Sequence, residues 1–213
     1  MTRLLWIEAS PKGDLSLSSA CGAAYLDARS ERAPVDVTRR NVWDTELPEF
    51  GREAALAKFG PLFGEPHTPE QAAIWTEVVA EIELVRGHDE ILVTSPMWNW
   101  HVPYALKHWI DVITQPLLSF TLDSDLRHVG TLGDGRPVQL ILTRSSAYDG
   151  RHPELEDFQE PYLRYIFDML GYGEITVLKI EPTTRWTPEE RAEMRADALA
   201  AATAAGEAVQ PRS

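Results

Sequence analysis

The stretch Asp89-Glu90-Ile91-Leu92-Val93-Thr94-Ser95-Pro96-Met97-Trp98-Asn99-Trp100-His101 decides the fold. Its first half is a short apolar run without polar alternation, so residues 89–95 read as a strand buried on both faces. A proline and two indoles break the run. Apolar residues then recur at helical spacing, at Tyr104, Ala105, Leu106, Trp109, Ile110, Val112 and Ile113, predicting a helix over residues 103–114. Strand, loop and helix in that order are the repeating unit of a parallel α/β sheet. Ligands of such sheets bind outside the carboxyl ends of the strands, where Pro96, Met97, Trp98, Asn99 and Trp100 fall. Two indoles at that edge favour a flat ligand.

Moving toward the amino end, Gly87 stops a helix that Thr68-Pro69-Glu70-Gln71 begins: Thr68 caps, Pro69 fits the first position and Gln71 closes a capping box. Residues 3–9 are apolar on both faces near their middle and form a first strand. A loop rich in hydroxyls follows, with Ser10, Ser16, Leu17 and Ser18 leading into a helix over residues 20–26. Free N–H groups and the positive end of the helix dipole suit that place to a phosphate, with serine hydroxyls as extra donors; simple capping by serine is the alternative role. The glycine of this loop is not followed by the Gly-Lys-Ser/Thr of a Walker loop, and no G-x-G-x-x-G occurs.

Residues 35–42 form a second strand, and a long irregular connection runs to His67 with a short helix at residues 53–58. Its Trp43, Phe50, Phe59 and Phe63 need a surface to cover or a partner to meet. Beyond the opening stretch, residues 117–138 carry Phe120 and the turn Gly133-Asp134-Gly135 and read as an excursion outside the sheet. Residues 137–143 are a fourth strand ending in the polar loop Thr143-Arg144-Ser145-Ser146; residues 158–170 a helix, 174–180 a fifth strand, and 187–209 a last helix opened by Thr187-Pro188-Glu189-Glu190. Five strands alternating with helices give one doubly wound, flavodoxin-type domain over residues 1–213, sheet order 2-1-3-4-5 and helices on both faces. The switch point between strands one and three brings the serine loop beside the aromatic loop, with residues 143–146 on the far side.

Composition removes several classes. With 33 acidic residues against 20 Lys and Arg, the net charge of −13 opposes binding to nucleic acid. Cys21 is the one cysteine, so neither an intrachain disulfide nor a cysteine zinc site can form, and a reducing cytoplasm fits. The amino-terminal apolar run is too short for a signal peptide, and no stretch approaches the ~20 apolar residues of a membrane helix. His101 and His108, seven apart, lack the spacing and companions of a metal site.

These residues resemble the FMN-dependent NADH azoreductases, a flavodoxin-like family that also reduces quinones. The resemblance runs from Leu4 to about Ala200, through a Ser-x-Ser phosphate loop, Pro-Met-[Tyr/Trp]-Asn-[Phe/Trp], a polar loop after the fourth strand, and Pro161-Tyr162-Leu163 with Leu170-Gly171. It implies that Ser10, Ser16, Leu17 and Ser18 hold an FMN phosphate, that Pro96, Met97, Trp98, Asn99 and Trp100 edge the isoalloxazine, and that Thr143, Arg144, Ser145 and Ser146 line its other side. The family has Ser-Arg-Gly-Gly at this last position; Ser145-Ser146 is bulkier and stiffer. The resemblance implies ping-pong transfer of two electrons from NADH or NADPH through FMN to a quinone or azo acceptor, with no catalytic acid–base pair. Asn99, Trp100 and Phe120 are the candidate acceptor-binding residues, and a homodimer with sites at the subunit interface is expected. The rival readings are a flavin electron carrier and a regulatory flavin-binding protein.

Overall fold

The computed structural model describes residues 1–152 and 154–209. Five parallel strands form the central sheet: β1 (Thr2–Glu8), β2 (Val35–Asn41), β3 (Glu90–Pro96), β6 (Val138–Thr143) and β7 (Ile175–Ile180). Their order, β2-β1-β3-β6-β7, is the expected 2-1-3-4-5 once the excursion's own two strands are numbered. Those two, β4 (Phe120–Leu122) and β5 (His128–Gly130), pair antiparallel as a separate hairpin.

Alternate residues of the buried strands enter two cores. Leu5, Ile7, Ile91, Val93, Leu140 and Leu142 pack against α3 (Pro69–Arg86), α4 (Tyr104–Ile113) and α5 (Glu160–Met169). Leu4, Trp6, Leu92, Ile141 and Ile180 meet α1 (Leu17–Arg32) and α6 (Pro188–Ala208) on the other face. Both faces are covered, which is why the central strands read as unbroken apolar runs. Trp6 is accommodated on the second face because its Nε1 donates to Thr94 Oγ1 at 2.9 Å and because Gly22 leaves room for its ring.

The capping boxes form at both sites where the sequence requires them, Thr68 with Gln71 and Thr187 with Glu190. Helix α1 is longer than expected, since Ser16 caps its start and its last turns continue to Arg32 with Ala28 and Arg29 buried, Arg29 paired to Glu90 at 2.9 Å. Helix α5 starts two residues late, at Glu160, because the Asp157 carboxylate accepts from the N–H groups of Gln159 and Glu160 and turns the chain first. The short helix of the long connection, α2 (Arg52–Phe59), buries Ala54 and Ala57 and leaves Leu56 and Phe59 exposed.

The excursion sits at the amino ends of the strands. Helix α4 begins at the carboxyl edge and its ten residues carry the chain back about 15 Å. There the Arg86 guanidinium, at the end of α3, donates to the carbonyls of Leu118 and Thr131. Gly130 packs so closely on Gly171 that a Cβ would overlap its backbone at 2.1 Å, which explains the glycine at both positions.

Candidate functional site

Sheet register brings three loops together. Ala9 N–H donates to Thr94 O, so the chain leaves β1 beside the end of β3. Pro96 pairs with Thr143, and Met97 N–H donates to Thr143 O at 2.8 Å, so residues 97–101 and 143–146 emerge side by side.

In the first loop Ser10, Ser16 and Ser18 are all buried. Ser16 Oγ accepts from Ser19 N–H at 3.1 Å and lies 3.1 Å from Ser18 Oγ, while Ser10 Oγ is in reach of Lys12 N–H at 3.4 Å. Ser16 therefore caps α1, and the Ser18 hydroxyl lies beside it at the helix start. The N–H groups of Leu17 and Ser18, in the first turn, have no protein acceptor among the described residues. Free N–H donors at a helix start suit an anion, and they need nothing polar from the Leu17 side chain.

The second loop is a tight turn. Trp98 N–H donates to His101 O at 2.8 Å and His101 N–H returns to Trp98 O at 2.9 Å, with Asn99 at φ 45° and Trp100 at φ 65° between them. Two successive left-handed residues define a type I′ turn, a conformation that favours Asn and Gly and resists Trp. It is held by its surroundings: Trp100 O accepts from Phe158 N–H at 3.1 Å, and Trp98 packs 5.4 Å from the Trp43 ring, which itself lies 4.9 Å from Tyr104. Trp43 Nε1 donates to Ala9 O, locking this aromatic wall to the first loop. The turn leaves the N–H groups of Asn99 and Trp100 without a protein acceptor among the described residues.

The third loop differs from its expectation in an instructive way. Neither Ser145 nor Ser146 has a positive φ, so side chains there cost no left-handed strain; the special backbone lies in the aromatic turn instead. Their N–H groups have no protein acceptor among the described residues. Arg144, sought as a donor along the ring, has its side chain fully buried and committed elsewhere. Its Nε donates to Gln159 Oε1 at 3.1 Å, its Nη1 to Glu181 Oε2 at 3.0 Å, and its Nη2 is 2.9 Å from Asp157 Oδ2. Gln159 in turn reaches Ser95 O at 3.5 Å. Arg144 thus ties the third loop to the end of β3 and to the segment that braces Trp100.

A cleft of about 730 Å³ opens beside the aromatic turn, lined by Phe50, Trp98, Asn99, His101, Tyr104 and Lys107 among others. His101 Nδ1 accepts from Val102 N–H at 2.8 Å, so the neutral ring carries its proton on Nε2, and the ring packs 4.7 Å from Tyr162. Burial, and then the Lys107 ammonium, hold its pKa below the ordinary 6.5. In the sequence, His101 reads only as a weak metal ligand and Trp43 as apolar cover or part of an interface, not as a wall of the site. The cue to Trp43 is positional, since it follows β2 at the carboxyl edge.

Phe120 is not in this cleft. It begins β4, at the opposite end of the sheet, with its ring 5.0 Å from His128. The direction of α4 separates it from Asn99 and Trp100 within one chain.

A family model described as a flavodoxin-like fold matches residues 2–205. The FMN-dependent NADH:quinone oxidoreductase of Nitratidesulfovibrio vulgaris (strain DP4) is 36% identical over 201 residues, 93% of this chain and 95% of that protein. The protein of the same name from Desulfotalea psychrophila is 32% identical over 86% of each chain. Among solved structures, an azoreductase from Bacillus anthracis superposes with a TM-score of 0.85 at 22% identity, covering 98% of this chain and all of that one. An FMN-dependent NADH-azoreductase from the same species, in complex with FMN, superposes at 0.80 and 21% identity over 96% and 99%. These two likenesses speak to the fold, while the sequence matches extend over nearly the whole of both partners. The chain belongs to the flavodoxin-like family of FMN-dependent NADH:quinone oxidoreductases.

Proposed function

We propose that this chain binds FMN at the three converging loops and oxidises NADH with a quinone or azo compound as acceptor. The observation that carries the reading is the set of N–H groups without a protein acceptor among the described residues, Leu17 and Ser18 on one loop and Asn99, Trp100, Ser145 and Ser146 on the two loops that emerge beside it. Bound FMN supplies the two-electron chemistry, which none of the side chains here can perform.

The chain's own groups bind, orient and shield. Leu17 and Ser18 N–H groups hold the phosphate with the Ser10, Ser16 and Ser18 hydroxyls around it. The Asn99, Trp100, Ser145 and Ser146 N–H groups are fixed donors toward ring oxygens and nitrogens, and so favour added negative charge there without reorganising. Pro96, Met97 and Thr143 set the spacing of the two loops, and Arg144 acts through Gln159 and the backbone. Trp98, with Trp43 and Tyr104 behind it, keeps water from one side of the cleft. Asn99 and Trp100 meet the acceptor.

Phe120 can serve an acceptor only in a second copy of the chain, because its own cleft lies at the other end of the sheet. The exposed Leu56, Phe59, Trp100 and Tyr104, all beside the long connection or the cleft, provide an apolar face for such a copy. The functional unit is accordingly a homodimer. No described helix is long and apolar enough to cross a membrane, and the lone buried Cys21 suits a reducing cytoplasm.

The visible spectrum of the purified protein tests the cofactor: flavin bands are expected, and a colourless protein that takes up no added FMN would refute the reading. Anaerobic NADH is expected to bleach those bands rapidly. A flavin that responds to chemical reductant but to neither NADH nor NADPH would make the protein an electron carrier instead.

A further inference from the structure

Trp186 is 85% exposed, the most exposed tryptophan of the described chain. It precedes the Thr187 cap of α6, the position from which an apolar side chain ordinarily packs on the fourth helical residue. That residue is Arg191, whose guanidinium donates to Trp186 O at 3.0 Å, so the usual intramolecular contact is not made. The backbone around the indole is nevertheless fixed: Trp186 N–H donates to Glu190 Oε2 at 3.0 Å, and the Arg185 guanidinium donates to Thr184 O at 2.8 Å.

The segment is bonded directly to the 143–146 loop. Thr183 N–H donates to Arg144 O and Thr184 N–H to Ser145 O, so Trp186 stands two residues beyond the ring-edge loop. It also overlooks the serine loop. Cys21 Sγ lies 3.7 Å from Ala198 O, where α1 and α6 pack together. From that level α1 extends about 6 Å to its first residue and α6 about 15 Å, so α6 rises about 9 Å above the phosphate-binding turn. A solvent-facing indole on a fixed backbone, flanked by Arg185 and Arg191, thus stands at the rim of the site, on a chain whose overall charge of −13 repels anions.

We propose that Trp186, with Arg185 beside it, binds the adenylate half of the dinucleotide donor. The assignment rests on the proposed NADH-dependent activity. A dinucleotide whose nicotinamide lies between the aromatic turn and the 143–146 loop must extend out past one of them, and the 183–186 segment is bonded to the second. The purine stacks on the indole face, and the guanidinium offsets pyrophosphate charge that the protein's own field disfavours.

The test compares two donors that differ only in this half, NADH and reduced nicotinamide mononucleotide. Trp186→Ala is expected to raise KM for NADH roughly tenfold, the size of one lost base–aromatic stack, with kcat within about twofold and KM for the mononucleotide changed less than about twofold. Trp186→Phe keeps a stacking face and recovers most of the loss. Calorimetric titration of FMN-loaded protein with ADP-ribose gives a readout free of turnover, and its affinity is expected to fall in parallel. Unchanged KM for NADH in Trp186→Ala, or equal losses with both donors, overturns the proposal. So does an altered oligomeric mass with unaltered KM, which marks an interface residue. If neither donor is oxidised, the functional reading fails, and the ADP-ribose titration still decides the subsite: binding lost in Trp186→Ala supports it, and unchanged or absent binding rejects it.

Discussion

At the scale of single residues, two buried or half-buried groups set the outcome. Arg144 faces Asp157, Glu181 and Glu160 with its guanidinium out of water. Arg144→Met leaves Asp157 and Glu181 without this cation, while Glu160 keeps Arg164 and Lys179, and is expected to lower stability by about 3–5 kcal/mol in denaturant unfolding. FMN affinity should weaken in the same variant, because the loops it spaces are no longer tied. His101 acts through its tautomer. Its pKa is depressed, so the unfolded chain binds a proton that the folded chain refuses at pH values between the lowered value and about 6.5. Stability therefore falls as pH drops through that interval and is unaffected by this group above it. Protonated Nδ1 would face Val102 N–H donor to donor, so the aromatic turn should loosen together with the stability loss. Thermal unfolding from pH 8 to pH 5, compared with a His101→Asn variant that keeps an acceptor and does not titrate, is expected to show a smaller acid loss in the variant.

At the scale of elements, legibility followed burial and capping. Residues 89–95 and 137–143 were readable as strands because both faces are covered, which leaves an unbroken apolar signature in the sequence. The starts of α3 and α6 were readable because a capping box is local chemistry. The aromatic turn was not, since its type I′ geometry uses Trp at a left-handed position that propensity argues against, and only tertiary contacts hold it there. Arg144 was placed in the right loop, but its side chain answers to carboxylates 13 and 37 positions away in sequence, at Asp157 and Glu181, and no local pattern reveals such partners. The packing of α6 on α1 depends on Gly206, where an added Cβ would meet Tyr25 O at 2.3 Å. Gly206→Ala is expected to cost roughly 1–3 kcal/mol, the range for an overpacked contact that must move backbone, and the shift should appear as a lower unfolding midpoint with FMN still bound.

At the scale of the whole molecule, the sheet has two working ends. The carboxyl end gathers the serine loop, the aromatic turn and the 143–146 loop, as the order β2-β1-β3-β6-β7 requires. The amino end carries the β4–β5 hairpin on Arg86 and Gly171. Its aromatic ring makes Phe120 an acceptor candidate alongside Asn99 and Trp100, but the length and direction of α4 place it far from both within one chain. Light scattering at micromolar concentration is expected to give a dimer mass. A monomer that is FMN-loaded and active would leave Phe120 with no acceptor to meet.

The position of Phe120 has a further consequence for mixtures of defective chains. One batch can carry Phe120→Ala and another Ser18→Glu, whose added charge repels the phosphate. In the proposed homodimer, each parent is then impaired at both of its sites. In a hybrid of the two, one cleft receives a normal serine loop from one parent and a normal Phe120 from the other, and the second cleft inherits both defects. Co-refolded chains should therefore regain activity that neither parent has, the signature of intersubunit complementation.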